Sequence, residues 1–185
     1  HTRCCSWSRG LGDVYKRQPK ADPVHKVSIV SRGMALGYTL HLPEDDHYLQ
    51  GKGKFEDEIA GLLAGRATEA LVFGDVTTGA NNDLERATKI ARAMVTQYGM
   101  SELLGPRTFG QKEELVFLGR EISEQRDYSD QVAQQIDSEV KRFIDNAYER
   151  AMSILTENRA KLEALAQKLI EVETLEGSEL EAMLA

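Results

Sequence analysis

Cysteine is nearly absent from this sequence: Cys4 and Cys5 are the only two, and they are adjacent. Neighbouring cysteines build neither a disulfide framework nor a zinc knuckle, so a small cross-linked scaffold is excluded and the body suits a reducing compartment. Aromatic residues are scarce too, at 6% with Trp7 the single tryptophan, while charged residues reach 29%. That balance disfavours a sandwich or barrel rich in aromatic and β-branched side chains and favours a helix-rich body. No run of about 18 apolar residues occurs, so no segment of this sequence spans a bilayer as a helix by itself. Repeats and low-complexity tracts are missing as well.

What is present is acidic. The net charge of −7 conceals an asymmetry, because the first twenty residues carry +4 and leave −11 for the remainder. An acidic body repels phosphate backbones, so no nucleic-acid partner is expected. A length of 185 residues allows one domain, or one and a half, with a sizeable core.

Residues 1–18 show neither a signal-peptide apolar run nor helical periodicity and are assigned no structure. The run Asp13-Val-Tyr-Lys-Arg-Gln18 resembles translated linker sequence, with the body readable from about Pro19; a genuine basic tail is the alternative.

From Lys26 to Val30 and from Ala35 to Leu42 the residues are β-branched or alternating, and Ser31-Arg32-Gly33 between them supplies a turn. This predicts a small β-hairpin or a pair of short strands. Pro43-Glu-Asp-Asp46 and Gly51-Lys-Gly53 mark a mobile polar loop. Phe55, Ile59, Leu62, Leu63, Ala67, Ala70 and Leu71 then recur at helical spacing, in a helix expected to end at Gly74. Asn82, with Glu85 three residues later, predicts a capped helix whose apolar face runs from Leu84 through Ala87, Ala91, Met94 and Val95 to Tyr98, stopped by Gly99. Ser129 opens a long helix carrying Val132, Ile136, Val140, Phe143, Ala147, Ala151, Ile154 and Leu155. Asn158 separates it from another bearing Leu162, Leu165, Leu169 and Val172, and Thr174 is expected to cap a final short helix ending at Leu184. The expected fold is mainly α, a bundle-like body with a small sheet at its N-terminal side.

Several segments carry a resemblance. Asp22-Pro-Val-His-Lys-Val27, Arg32-Gly-Met-Ala-Leu-Gly37, Gly65-Arg66 with Glu69, and Thr78-Gly-Ala-Asn-Asn-Asp83 stand in the order found in the peptidase domain of FtsH-type, membrane-anchored, ATP-dependent zinc metalloproteases. Ala93-Met94-Val95, Gly99-Met100-Ser101, Val116-Phe-Leu-Gly119, Tyr128-Ser129-Asp130, Ile136-Asp137 with Glu139-Val140, and Asn158-Arg159 extend it over essentially all of residues 20–185. The resemblance implies a metallopeptidase domain over 19–185, incomplete at its N-terminal side. For the intact protein it implies transmembrane helices, an ATPase module using ATP and magnesium, and a homo-hexameric ring. It further implies degradation of unfolded or membrane proteins for quality control, at a bacterial inner membrane with this domain on the cytoplasmic side, or at an organellar membrane.

The chemistry of that family needs a helix bearing H-E-x-x-H, which puts two histidines on one face as zinc ligands and a glutamate beside them as general base. No such motif occurs in the sequence. By resemblance it precedes Asp22, so two zinc ligands and the base are expected to be missing from this chain, which is then inactive alone. The third ligand of the family maps onto Asp83. A carboxylate in the first turn of a helix is also favoured by the macrodipole alone, so the bland reading stands beside it. Glu69 matches a position beside the metal, where it would orient a ligating histidine; otherwise it is a solvated helix-face carboxylate. Met34, Ala35, Leu36, Gly37 and Tyr38 are candidates for an edge strand that binds extended substrate through its main chain, or form an ordinary core strand.

His25, His41 and His47 are not spaced to share a helix face, and His25 fits the resemblance as a structural residue. Gly51-Lys-Gly-Lys54 lacks the spacing of a phosphate loop and reads as a flexible basic turn. The other function class open to this sequence is a catalytically inactive helical scaffold for assembly. A generic helical interaction domain is disfavoured by the ordered matches.

Overall fold

The computed structural model describes residues 24–30, 38–41, 49–110 and 128–184. Residues 1–18, Met34 to Gly37 and Val116 to Gly119 therefore lie outside what it describes. In chain order the elements are β1 (Val24–Ser28), β2 (Tyr38–His41), α1 (Lys52–Phe73), a short 3-10 turn (Thr78–Ala80), α2 (Asn81–Thr96), α3 (Asp130–Glu157), α4 (Arg159–Val172), β3 (Thr174–Glu176) and α5 (Gly177–Leu184). The mainly α fold with a small sheet is borne out.

The centre of the body is α1, whose residues from Ile59 to Gly65 are all buried, followed by Ala67, Thr68 and Glu69. A helix buried on every side shows no single apolar stripe and must be wrapped by its neighbours. The wrapping helices are amphipathic. In α2 the buried positions are Ala87, Ala91, Met94 and Val95, and in α3 they are Ile136, Glu139, Phe143, Ala147, Ala151 and Leu155, both at intervals of three and four. Where α3 crosses the second half of α1, Ala64 and Ala67 share one buried cluster with Ala151 and Leu155 of α3 and Leu162 of α4. Among the described residues no helix is long and apolar enough to cross a membrane.

A second, smaller core lies at the sheet. The strands run in the order β2-β1-β3, all antiparallel, with an irregularity between Val24 and Lys26. Val27, Ile29 and Leu175 from the sheet side pack with Leu165 and Leu169 of α4 and Leu180 of α5. A Lys26 to Glu176 ion pair of 2.7 Å closes the exposed side.

Five local expectations need correction. The helix after the polar loop begins at Lys52, with Gly51 at its N-cap, so Gly51–Lys54 is no flexible turn but the entry of α1. Asn82 does not cap α2. The helix starts at Asn81 directly from the 3-10 turn, which Thr77 caps instead, and Glu85 pairs along the helix with Lys89. Tyr98 lies beyond the end of α2 and stacks on Phe55 with ring centroids 5.4 Å apart, while Val172 at the end of α4 is exposed. Thr174 caps nothing. It opens β3, where its hydroxyl meets that of Ser28 at 2.8 Å, after Glu173 turns the chain with φ of 61°.

The expected end at Gly74 holds, in left-handed conformation with its N–H on Ala70 O, and Ser129 caps α3 by accepting from the Val132 N–H.

Candidate functional site

Asp83 sits in the first turn of α2 and is half-buried. Its approach is set from α1. Glu69, near the C-terminal end of that helix, is only 5% exposed, so it is not a solvated helix-face carboxylate. A buried carboxylate demands donors. Thr77 supplies two: its backbone N–H reaches Glu69 Oε2 at 3.0 Å and its hydroxyl reaches Oε1 at 2.9 Å. The same hydroxyl accepts the Gly79 N–H at 3.2 Å, and Asn81 N–H bonds to Thr78 O. These contacts bend residues 77–80 into the single turn that runs into α2. Glu69 and the Thr78–Asp83 segment, matched separately in the sequence, are thus brought together through Thr77.

Tyr38 opens β2, which among the described residues pairs only with β1 and so forms an edge of the sheet. The four candidates before it lie outside the described residues. His25 is an exposed residue of β1, and His41 closes β2. Among the described residues no three His, Cys, Asp or Glu side chains converge to hold a metal ion. Catalytic zinc needs three protein ligands. The described residues therefore do not by themselves assemble such a ligand set.

Two polar clusters escaped the sequence reading. Glu139, 5% exposed on α3, accepts Ser101 Oγ at 2.6 Å and a bidentate pair from Arg142 Nε and Nη2 at 2.7 and 2.9 Å. Hydrogen bonding from Arg142 pulls the carboxyl below its ordinary range; burial opposes this, and Ser101 adds to the lowering. Arg142 is correspondingly shifted upward, first by its hydrogen bond to Glu139. The Ser101 hydroxyl in turn accepts the Leu104 N–H, so this cluster pins the loop after α2 onto α3. The second cluster joins Asp57 of α1 to Arg150 of α3. The only local signal for either was an acidic residue falling on an apolar stripe, as Glu139 does between Ile136 and Phe143.

Comparison with known proteins gives one consistent answer. The family model described as Peptidase family M41 matches residues 14–183. The chain is 58% identical over 170 residues to the ATP-dependent zinc metalloprotease FtsH 1 of Sphaerobacter thermophilus, covering 92% of this chain and 26% of that protein. It is 54% identical over 168 residues to the ATP-dependent zinc metalloprotease FtsH of Thermotoga maritima, covering 90% and 28%. To the protein of the same name from Bacillus subtilis it is 54% identical over 166 residues, covering 89% and 26%. The chain spans about a quarter of the length of these curated relatives.

Proposed function

The chain belongs to peptidase family M41, and from that premise we propose that it is the peptidase module of an ATP-dependent zinc endopeptidase, to which it contributes the Asp83 carboxylate as one metal ligand. The observation that carries this reading is the placement of Asp83 within Thr78-Gly-Ala-Asn-Asn-Asp83, on a turn anchored by a buried carboxylate. A ligand has to be held still, and a side chain in a helix's first turn, entered from a fixed turn, is held so. The remaining donors and the general base belong to sequence outside this chain. So do the ATPase module with its ATP and magnesium, and the membrane anchor.

The assembled enzyme is a homo-hexamer that degrades unfolded and membrane proteins for quality control. The edge of β2 that no other described strand covers supports such a substrate class, because main-chain pairing at a strand edge accepts many sequences. A catalytically inactive scaffold is the second reading, favoured by the lack of three converging donors among the described residues. The deciding experiment is Asp83→Ala in the longer protein that contains this module. Expected is loss of casein-class proteolysis with ATP hydrolysis within about twofold of wild type. Undiminished proteolysis would remove Asp83 from the site.

A further inference from the structure

We propose that Thr77 is a positioning residue for Asp83, acting as a polar relay that transmits the fixed location of the buried Glu69 carboxylate to the entry of α2. The proposal rests on the reading of Asp83 as the functional carboxylate.

The direction of every hydrogen bond in the relay is determined by chemistry. The Thr77 hydroxyl donates its one proton to Glu69 Oε1, leaving its lone pairs to accept. One of them receives the Gly79 N–H. The Thr77 backbone N–H takes the other carboxylate oxygen, so the residue is gripped at two points and cannot rotate about either. Its backbone is extended, at φ −108° and ψ 170°, and the helical conformation begins immediately after it. Asn81 closes the 3-10 turn through Thr78 O and α2 starts there, so Asp83 follows the anchored residue by a single rigid turn and a half-turn of helix.

The spacing is also tight. A Cβ on Gly79 would stand 3.2 Å from Thr77 Oγ1, closer than ordinary contact, so the glycine gives the hydroxyl room to reach the N–H. Thr77 itself is exposed, which is unusual for a residue with so many committed polar atoms and removes core packing as the reason for its identity. Serine would keep the relay; valine would keep the shape and the backbone bond to Glu69 but lose both hydroxyl bonds.

The test has two arms. In the 185-residue chain, amide hydrogen exchange is compared for wild type, Thr77→Val and Thr77→Ser. Thr77→Val is expected to speed exchange of the Gly79 and Asn81 amides by about tenfold while the protected amides of α3 are unchanged, and Thr77→Ser to match wild type. Exchange within about twofold of wild type in Thr77→Val, or a serine variant that behaves like valine, overturns the relay. In the longer protein, Thr77→Val is expected to lower kcat for casein by about tenfold or more with KM within about twofold, with Thr77→Ser restoring it. Full activity in Thr77→Val beside an inactive Asp83→Ala overturns the positioning role and leaves the Asp83 reading intact. Full activity in Asp83→Ala overturns that reading, and with it the positioning role, while the exchange arm still judges the relay.

Discussion

Arg150 on α3 donates to Asp57 on α1 across 2.7 Å, and the carboxylate it reaches is only 2% exposed. The guanidinium side is itself 41% exposed, so the pair is a strap running from the surface into the interior between the two helices that form the centre of the body. Removing one partner of such a pair leaves the buried charge less compensated, which is worse than removing both.

Arg150→Met, which keeps most of the stem, is therefore expected to lower unfolding stability by about 2–4 kcal/mol, and Asp57→Asn combined with it to recover part of that loss. Urea denaturation of the two variants decides the matter. A single-variant loss below about 0.5 kcal/mol would show that the strap is only a surface ion pair.

Glu139 predicts an acid limb to the stability curve. Its carboxyl is lowered in the folded chain chiefly by Arg142, so the stability it contributes is present above the ordinary value of 4.5 and is lost as pH falls below that value through the depressed one. Urea midpoints measured from pH 7 down to pH 3 are expected to fall in that window, and to fall less steeply in Glu139→Gln. Parallel curves for wild type and variant would assign the acid limb to other carboxylates.

Gly99 and Gly74 make a matched pair. Both have positive φ, 60° and 66°, but a Cβ on Gly99 would stand 3.0 Å from Arg107 N and 3.1 Å from Pro106 Cα, whereas one on Gly74 meets nothing within 4 Å. Gly74→Ala should therefore carry only the left-handed backbone penalty of about 1 kcal/mol, and Gly99→Ala that penalty plus a clash with immobile backbone, about 2 kcal/mol or more in total. Equal melting temperatures for the two variants would contradict this.

Metal content gives a further check on the donor set of the described residues. The purified chain is expected to retain far less than one equivalent of zinc after dialysis and to show no chelator-sensitive cleavage of casein, because a single carboxylate is a weak zinc site. Stoichiometric zinc surviving dialysis would mean that donors outside the described residues complete the site.

These predictions rest on features of unequal visibility in the sequence. The helices α1 to α4 could be read because Ile59, Leu63, Met94, Phe143, Leu155, Leu165 and Leu169 are buried at positions that recur every three or four residues, and Ser129 and Gly74 chemically mark two of the boundaries. Asp83 and Glu69 were found only by resemblance; periodicity gives no reason to prefer them over other helix carboxylates. Thr77 was missed because its partner lies on another element, and no local pattern encodes a hydroxyl shared between Glu69 and Gly79. Thr174 was misread for the same reason: a three-residue strand is stabilised by the strand beside it, not by its own propensity.

That last strand has a consequence for synthesis of the chain. Ser28 in β1 and Thr174 at the start of β3 are 146 positions apart. At a translation rate of roughly 5–20 residues per second, β1 has β2 beside it early but waits roughly 7 to 30 seconds after it is made before its β3 partner exists. The helical body around α1, α2 and α3 can close during that interval, since its elements have all been made by Glu157. Val27 and Ile29 have no such option, because the small core that covers them is finished only by Leu175 and Leu180. The nascent chain therefore carries Val27 and Ile29 without the full cover of this small core until Leu180 has been made, and the small core is the last part of the described body able to close.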